Sequence, residues 1–88
     1  MSATPHLFQP LALRSLQTRN RVVISPMCQY SAHEGHMNDW HLVNLGRYAI
    51  GGAGIVFTEA TAVQKRGRIT HGCPGLWSDS QISGHARV

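Results

Sequence analysis

The chain has 88 residues, 42% of them hydrophobic and 14% charged, with a formal charge of +4 from 8 Lys+Arg against 4 Asp+Glu. So high an apolar share with so few charges excludes a disordered tail, and apolar runs such as Val22-Val23-Ile24 and Ile55-Val56-Phe57 fall far short of the ~20 residues of a membrane span. No signal-peptide stretch opens the chain, and Cys28 and Cys73 form no C-x-x-C, so a cytoplasmic setting with free thiols is expected.

Residues 1–10 are polar, with Pro5 and Pro10, and read as an irregular lead-in. From Leu11 to Leu16 apolar and polar residues alternate, and Thr18-Arg19-Asn20 is a turn signal; together they predict a short hairpin arm. Arg21-Val22-Val23-Ile24-Ser25 is a β-branched run that predicts a strand buried on both faces. Pro26 ends it, because proline cannot donate to a ladder. Cys28 to Asn38 reads as a loop. Asn38 or Asp39 can cap a helix starting at Trp40, with an apolar face of Leu42, Leu45, Gly46, Ala49 and Ile50. Gly51-Gly52 stops that helix. A second apolar strand follows over Ile55–Ala60. Thr61 to Trp77 is a long loop, and Ser78 or Asp79 can cap a second helix that has barely begun at Val88.

Strand, helix and strand of these lengths predict a parallel βαβ unit with a right-handed crossover. One such unit leaves sheet edges and apolar faces uncovered. Residues 1–88 therefore read as the opening part of a larger α/β domain, an incomplete one.

In such folds ligands gather at the carboxyl ends of strands. The first end is Ser25-Pro26-Met27-Cys28-Gln29-Tyr30; the second is Thr58-Glu59-Ala60-Thr61-Ala62. Pro26 and Met27 offer a flat, soft surface for a planar ring, with the Cys28 thiol at its edge and the Tyr30 phenol beyond. Ala60 would add only a methyl group and leave room for the ring. The same residues also read more plainly, as a strand terminator and a small buried thiol. No Gly-x-Gly-x-x-Gly or Gly-Lys-Thr/Ser follows either strand, so neither a dinucleotide fingerprint nor a P-loop is present. His33-Glu34-Gly35-His36 has i, i+3 spacing, but Gly35 argues against the helix that would converge two imidazoles, and no metal site is expected. Glu59 reads as a base or, with arginines nearby, as a buried ion-pair partner; His41 reads as structural. Lys65, Arg66 and Arg68 read as a solvated loop rather than a nucleic-acid patch.

The segments Arg19-Asn20-Arg21-Val22, Ser25-Pro26-Met27-Cys28-Gln29-Tyr30, Asn38-Asp39-Trp40-His41, Glu59-Ala60-Thr61-Ala62-Val63, Gly67-Arg68-Ile69-Thr70 and Gly75-Leu76-Trp77-Ser78-Asp79 run in order along nearly the whole chain. Together they resemble the Old Yellow Enzyme family of flavin oxidoreductases. The cysteine after Pro-Met resembles the branch typified by xenobiotic reductase A and the thermophilic-like ene-reductases.

The resemblance implies an α/β fold, the N-terminal portion of a (β/α)8 TIM barrel, with FMN at the mouth and NAD(P)H as reductant. It implies that Ser25, Pro26, Met27 and Cys28 line the flavin and that Ala60 contacts it. Cys28 would tune its potential and Tyr30 would face the substrate, an activated alkene such as an enone. The hairpin arm would plug the barrel's other end. A barrel needs about 250 residues, and the family's histidine pair and phosphate-binding residues come from later strands. The 88 residues alone are therefore expected to be inactive and to bind FMN weakly or not at all. Neither a nucleic acid nor a membrane is an expected partner; a homo-oligomer or association with the remaining barrel is. A non-catalytic barrel module that associates with another chain is the alternative.

Overall fold

The computed structural model describes residues 4–88; the first three residues of the expected lead-in lie outside that range. The lead-in is not wholly irregular: His6–Phe8 forms a 3-10 turn between the two prolines. The hairpin arm is present as β1 (Leu11–Leu13) paired antiparallel with β2 (Leu16–Thr18). Its turn differs from the one expected. Arg14-Ser15 turns the chain, with Arg14 at φ 55°.

Thr18-Arg19-Asn20 instead docks on the end of a helix. Arg19 Nη2 donates to Ala49 O at 3.0 Å, and Asn20 Nδ2 donates to Gly52 O at 2.6 Å. Both carbonyls belong to the C-terminal turn of α1 (Asp39–Ile50) and the glycines after it. Carbonyls at a helix end lack intrahelical partners, and a guanidinium there also complements the helix dipole. Gly54 permits the approach, since a Cβ on it would meet Asn20 O at 2.5 Å.

The two expected strands exist and are parallel, but they are short. β3 (Val23–Ile24) pairs with β4 (Ile55–Val56) in the register Val23↔Ile55, Ile24↔Val56. The ladder closes with Phe57 N donating to Ile24 O at 3.0 Å; Pro26 offers no N–H to continue it. Neither strand is buried on both faces. Val23 is exposed and Ile24, Ile55 and Val56 are half-buried, because each strand has one neighbour only among the described residues.

Helix α1 starts one residue earlier than expected, at Asp39, with Asn38 as its N-cap. Asn38 Oδ1 accepts from Trp40 N at 3.0 Å, and His41 Nδ1 accepts from Asn38 N at 3.1 Å. This is a capping box in which a histidine takes the place of the usual Glu or Gln. Gly51-Gly52 ends the helix, with Gly52 at φ 105°. The buried face is not the apolar one. His41 and Asn44 are buried, whereas Leu42, Leu45, Gly46 and Ala49 line an open groove of about 220 Å³ with Val56 and Thr58. Ile50, placed on the same stripe by periodicity, is 90% exposed.

Beyond β4, Ala62 and Gly75 form a parallel bridge, and Lys65–Gly67 makes a 3-10 turn. Ser78 caps the following segment as expected, but a 3-10 turn (Asp79–Gln81) comes first and leads into α2 (Ile82–Arg87). No helix among the described residues is long and apolar enough to cross a membrane.

Candidate functional site

Ser25, Pro26 and Met27 leave β3 at its carboxyl end and are exposed; Cys28 is half-buried. The β3–β4 register carries an offset of 32 residues, from Val23↔Ile55. Cys28 and Ala60 each lie four residues beyond the last ladder pair, Ile24↔Val56, and Ala60 is also exposed. The thiol and the small methyl group therefore share one end of the strand pair. Tyr30 lies beyond, 63% exposed and at φ 55°. Ala60 lines a cavity of about 180 Å³ shared with Arg68, Ile69 and Cys73.

Two residues absent from the predicted site hold this surface in place. Gln29 N donates to Glu59 Oε2 at 2.9 Å, and the Gln29 side chain accepts from Trp40 Nε1 at 3.0 Å and donates to Met27 O at 2.9 Å. Asn38 Nδ2 donates to Ser31 O at 2.7 Å. The backbone on both sides of Cys28 and Tyr30 is thus tied down.

Glu59 is a buried partner of His41, not of an arginine: His41 Nε2 lies 3.2 Å from Glu59 Oε1, with both side chains nearly inaccessible. The nitrogen faces the carboxylate at an angle outside good hydrogen-bond geometry. Because Asn38 N–H already donates to Nδ1, the neutral ring carries its proton on Nε2, toward the carboxylate. Sequence gave one usable signal for this pair: His41 occupies the third helical position after an Asn cap, where a side chain reaches back and is fixed.

The remaining candidates are structural in what they touch. His33 and His36 face each other across a tight turn, and His36 Nε2 lies 3.2 Å from Ser80 Oγ. Arg68 lies over the Trp77 ring, 5.3 Å from its centroid, and its Nε donates to Lys65 O at 3.1 Å.

Cys73 is 2% exposed. Burial pushes its thiol up, and the Glu59 charge adds to that. Hydrogen bonds from the Thr70 backbone and hydroxyl and from the Ile69 backbone outweigh both, so the thiol titrates below its ordinary value. The Thr70 N–H reaches Sγ at 3.3 Å. A folded-state pKa lowered in this way means that the unfolded chain binds more protons between the two values, so stability rises with pH across that interval and is lost as pH falls through the folded value. We expect urea midpoints of the wild-type chain to climb on approaching the ordinary thiol pKa more steeply than those of Cys73→Ala. Parallel pH profiles would contradict this.

A parallel strand pair with a helix between its strands fits the α/β barrel class. Known proteins agree. Residues 6–88 match the NADH:flavin oxidoreductase / NADH oxidase family. The chain is 44% identical over 87 residues to NADH:flavin oxidoreductase FG08077 of Gibberella zeae, covering 99% of this chain and 21% of that protein. It is 42% identical over 84 residues to the NADPH dehydrogenase of Bacillus subtilis, covering 93% of this chain and 25% of that one. The structure of the old yellow enzyme homologue from Zymomonas mobilis superposes with a TM-score of 0.81 at 26% identity, over 91% of this chain and 22% of that chain.

The chain belongs to the NADH:flavin oxidoreductase / NADH oxidase family. Its architecture is that of the N-terminal portion of a (β/α)8 barrel of the Old Yellow Enzyme type. It spans a quarter or less of the length of these relatives.

Proposed function

We propose that residues 1–88 are the N-terminal segment of an FMN-binding barrel domain in an NAD(P)H-dependent oxidoreductase that reduces activated alkenes such as enones. The observation that carries this reading is the shared strand end. Pro26 and Met27 are exposed and apolar, Cys28 follows them, and Ala60 lies as far beyond the ladder on the neighbouring strand as Cys28 does on its own. These residues fit a flavin: a soft apolar seat, a polarisable hydrogen-bonding group at its rim, and a neighbour small enough to admit the ring.

FMN, when bound, supplies the hydride transfer between NAD(P)H and the alkene. The chain's own residues supply placement and polarity. Ser25, Pro26 and Met27 form the seat. The Cys28 S–H would offer the flavin a hydrogen bond that favours one redox state over another; ~1.4 kcal/mol of such preference moves a two-electron potential by ~30 mV. The exposed Tyr30 hydroxyl is free to meet substrate. The open groove along α1 supports the same reading, since its apolar lining is suited to packing against the remaining barrel.

In the full-length, FMN-loaded protein, Cys28→Ala should shift the flavin midpoint potential without disturbing the fold. Tyr30→Phe should lower the rate of alkene reduction more than it weakens FMN binding. An unchanged potential in Cys28→Ala would return the thiol to a packing role and remove the basis of the proposed seat.

A further inference from the structure

Beyond Ile24 and Val56 the strand ladder ends, yet the loop carrying Cys28 keeps a defined path. Pro26 cannot donate, and the next tie to the neighbouring strand runs through a side chain. Glu59 Oε2 accepts from Gln29 N at 2.9 Å, directly after Cys28. The carboxylate is 4% exposed and is fixed from its other side by His41, whose Nε2 lies 3.2 Å from Oε1. His41 is in turn set by the Asn38 N–H at the start of α1. A buried ionised acceptor makes a stronger hydrogen bond than a neutral one. A chain of contacts therefore runs from the helix cap, through an imidazole and a carboxylate, to the peptide beside the thiol.

We propose that Glu59 is a positioning residue: through the Gln29 N–H it fixes the Cys28 thiol relative to the flavin and so sets how far that thiol tunes the potential. The inference rests on the flavin seat proposed above. Glu59 itself acts through Gln29. One oxygen of its carboxylate accepts from the Gln29 N–H, and the other lies 3.2 Å from His41 Nε2. Glu59→Leu keeps much of the bulk and leaves the Gln29 N–H without an acceptor.

Two measurements on the full-length flavoprotein test this. The first is hydrogen exchange at the Gln29 amide, which should quicken about tenfold or more in Glu59→Leu. Unaltered exchange overturns the proposal whatever the flavin reports. The second is the midpoint potential of Glu59→Leu, Cys28→Ala and the double variant. Glu59→Leu should shift the potential, and in the double variant it should add nothing to the shift from Cys28→Ala. An additive shift, or no shift in Glu59→Leu, overturns the proposal. If Cys28→Ala alone leaves the potential unmoved, the flavin seat is the reading that fails, and the clamp is then decided by the exchange data alone. If Glu59→Leu does not fold, Glu59→Asp serves: the shorter side chain withdraws the carboxylate from Gln29, and it must show the same non-additive shift.

Discussion

His41→Leu should destabilise the fold by about 1–3 kcal/mol, the cost of leaving a buried polar group without its neighbour. The Glu59 side chain is 4% exposed, so water cannot take the imidazole's place without the strand end opening. The substitution also removes the acceptor for the Asn38 N–H at the helix start. His41→Leu/Glu59→Leu should recover part of the loss, because apolar groups in both places leave no buried charge behind. Recovery should be incomplete, since the Gln29 N–H then has no acceptor. Urea midpoints followed by circular dichroism decide the matter. A His41→Leu midpoint equal to that of the wild type would show that the pair contributes nothing to holding the strand end.

A second large effect is expected at Gly72. A Cβ there would sit 2.5 Å from both the carbonyl carbon and the oxygen of Tyr30, and 2.8 Å from its Cα. All three are backbone atoms and cannot rotate aside. The two segments are also stitched together, with Ala32 N donating to Gly72 O at 2.9 Å. Tyr30 already occupies φ 55°, a region that L-residues seldom adopt, so the loop has little freedom to yield. Gly72→Ala should cost about 1–3 kcal/mol, the usual range for overpacking, and should displace Tyr30. Gly46→Ala is the contrast. Nothing lies within 4 Å of a Cβ at that mid-helix position, and alanine there should stabilise by roughly 0.5–1 kcal/mol. A Gly72→Ala midpoint that matches or exceeds that of Gly46→Ala would refute the close approach.

The elements that sequence revealed are those governed by local rules. Asn38 before Trp40, the glycine pair after Ile50 and the β-branched runs at Val22–Ile24 and Ile55–Val56 each state a preference within a few residues. The helix, the parallel strands and their order follow from them. Pro26 marks the end of the first strand by the same kind of local rule, whereas the flavin proposed at that end rests on the resemblance of the motifs. What escaped was non-local. Nothing near Thr18-Arg19-Asn20 says that its side chains will cap a helix some thirty residues later, so the turn was assigned there instead of at Arg14-Ser15. Periodicity marked Leu42, Leu45 and Ala49 as the inward face of α1. The helix turns His41 and Asn44 inward instead: His41 faces the buried carboxylate of the second strand end, and Asn44 Oδ1 accepts from Arg47. Glu59 was suspected of ion pairing, but its partner depends on which helix crosses above it, and spacing alone does not fix that.

The docking of Arg19 and Asn20 onto the final turn of α1 links two parts of the molecule that would otherwise be edited separately. Trimming the hairpin arm to clear the bottom of a barrel would also strip two donors from Ala49 and Gly52. The damage would surface as fraying at the far end of a helix the deletion never touched. Any shortened version of this protein should therefore retain that dipeptide, even where the strands before it are dispensable.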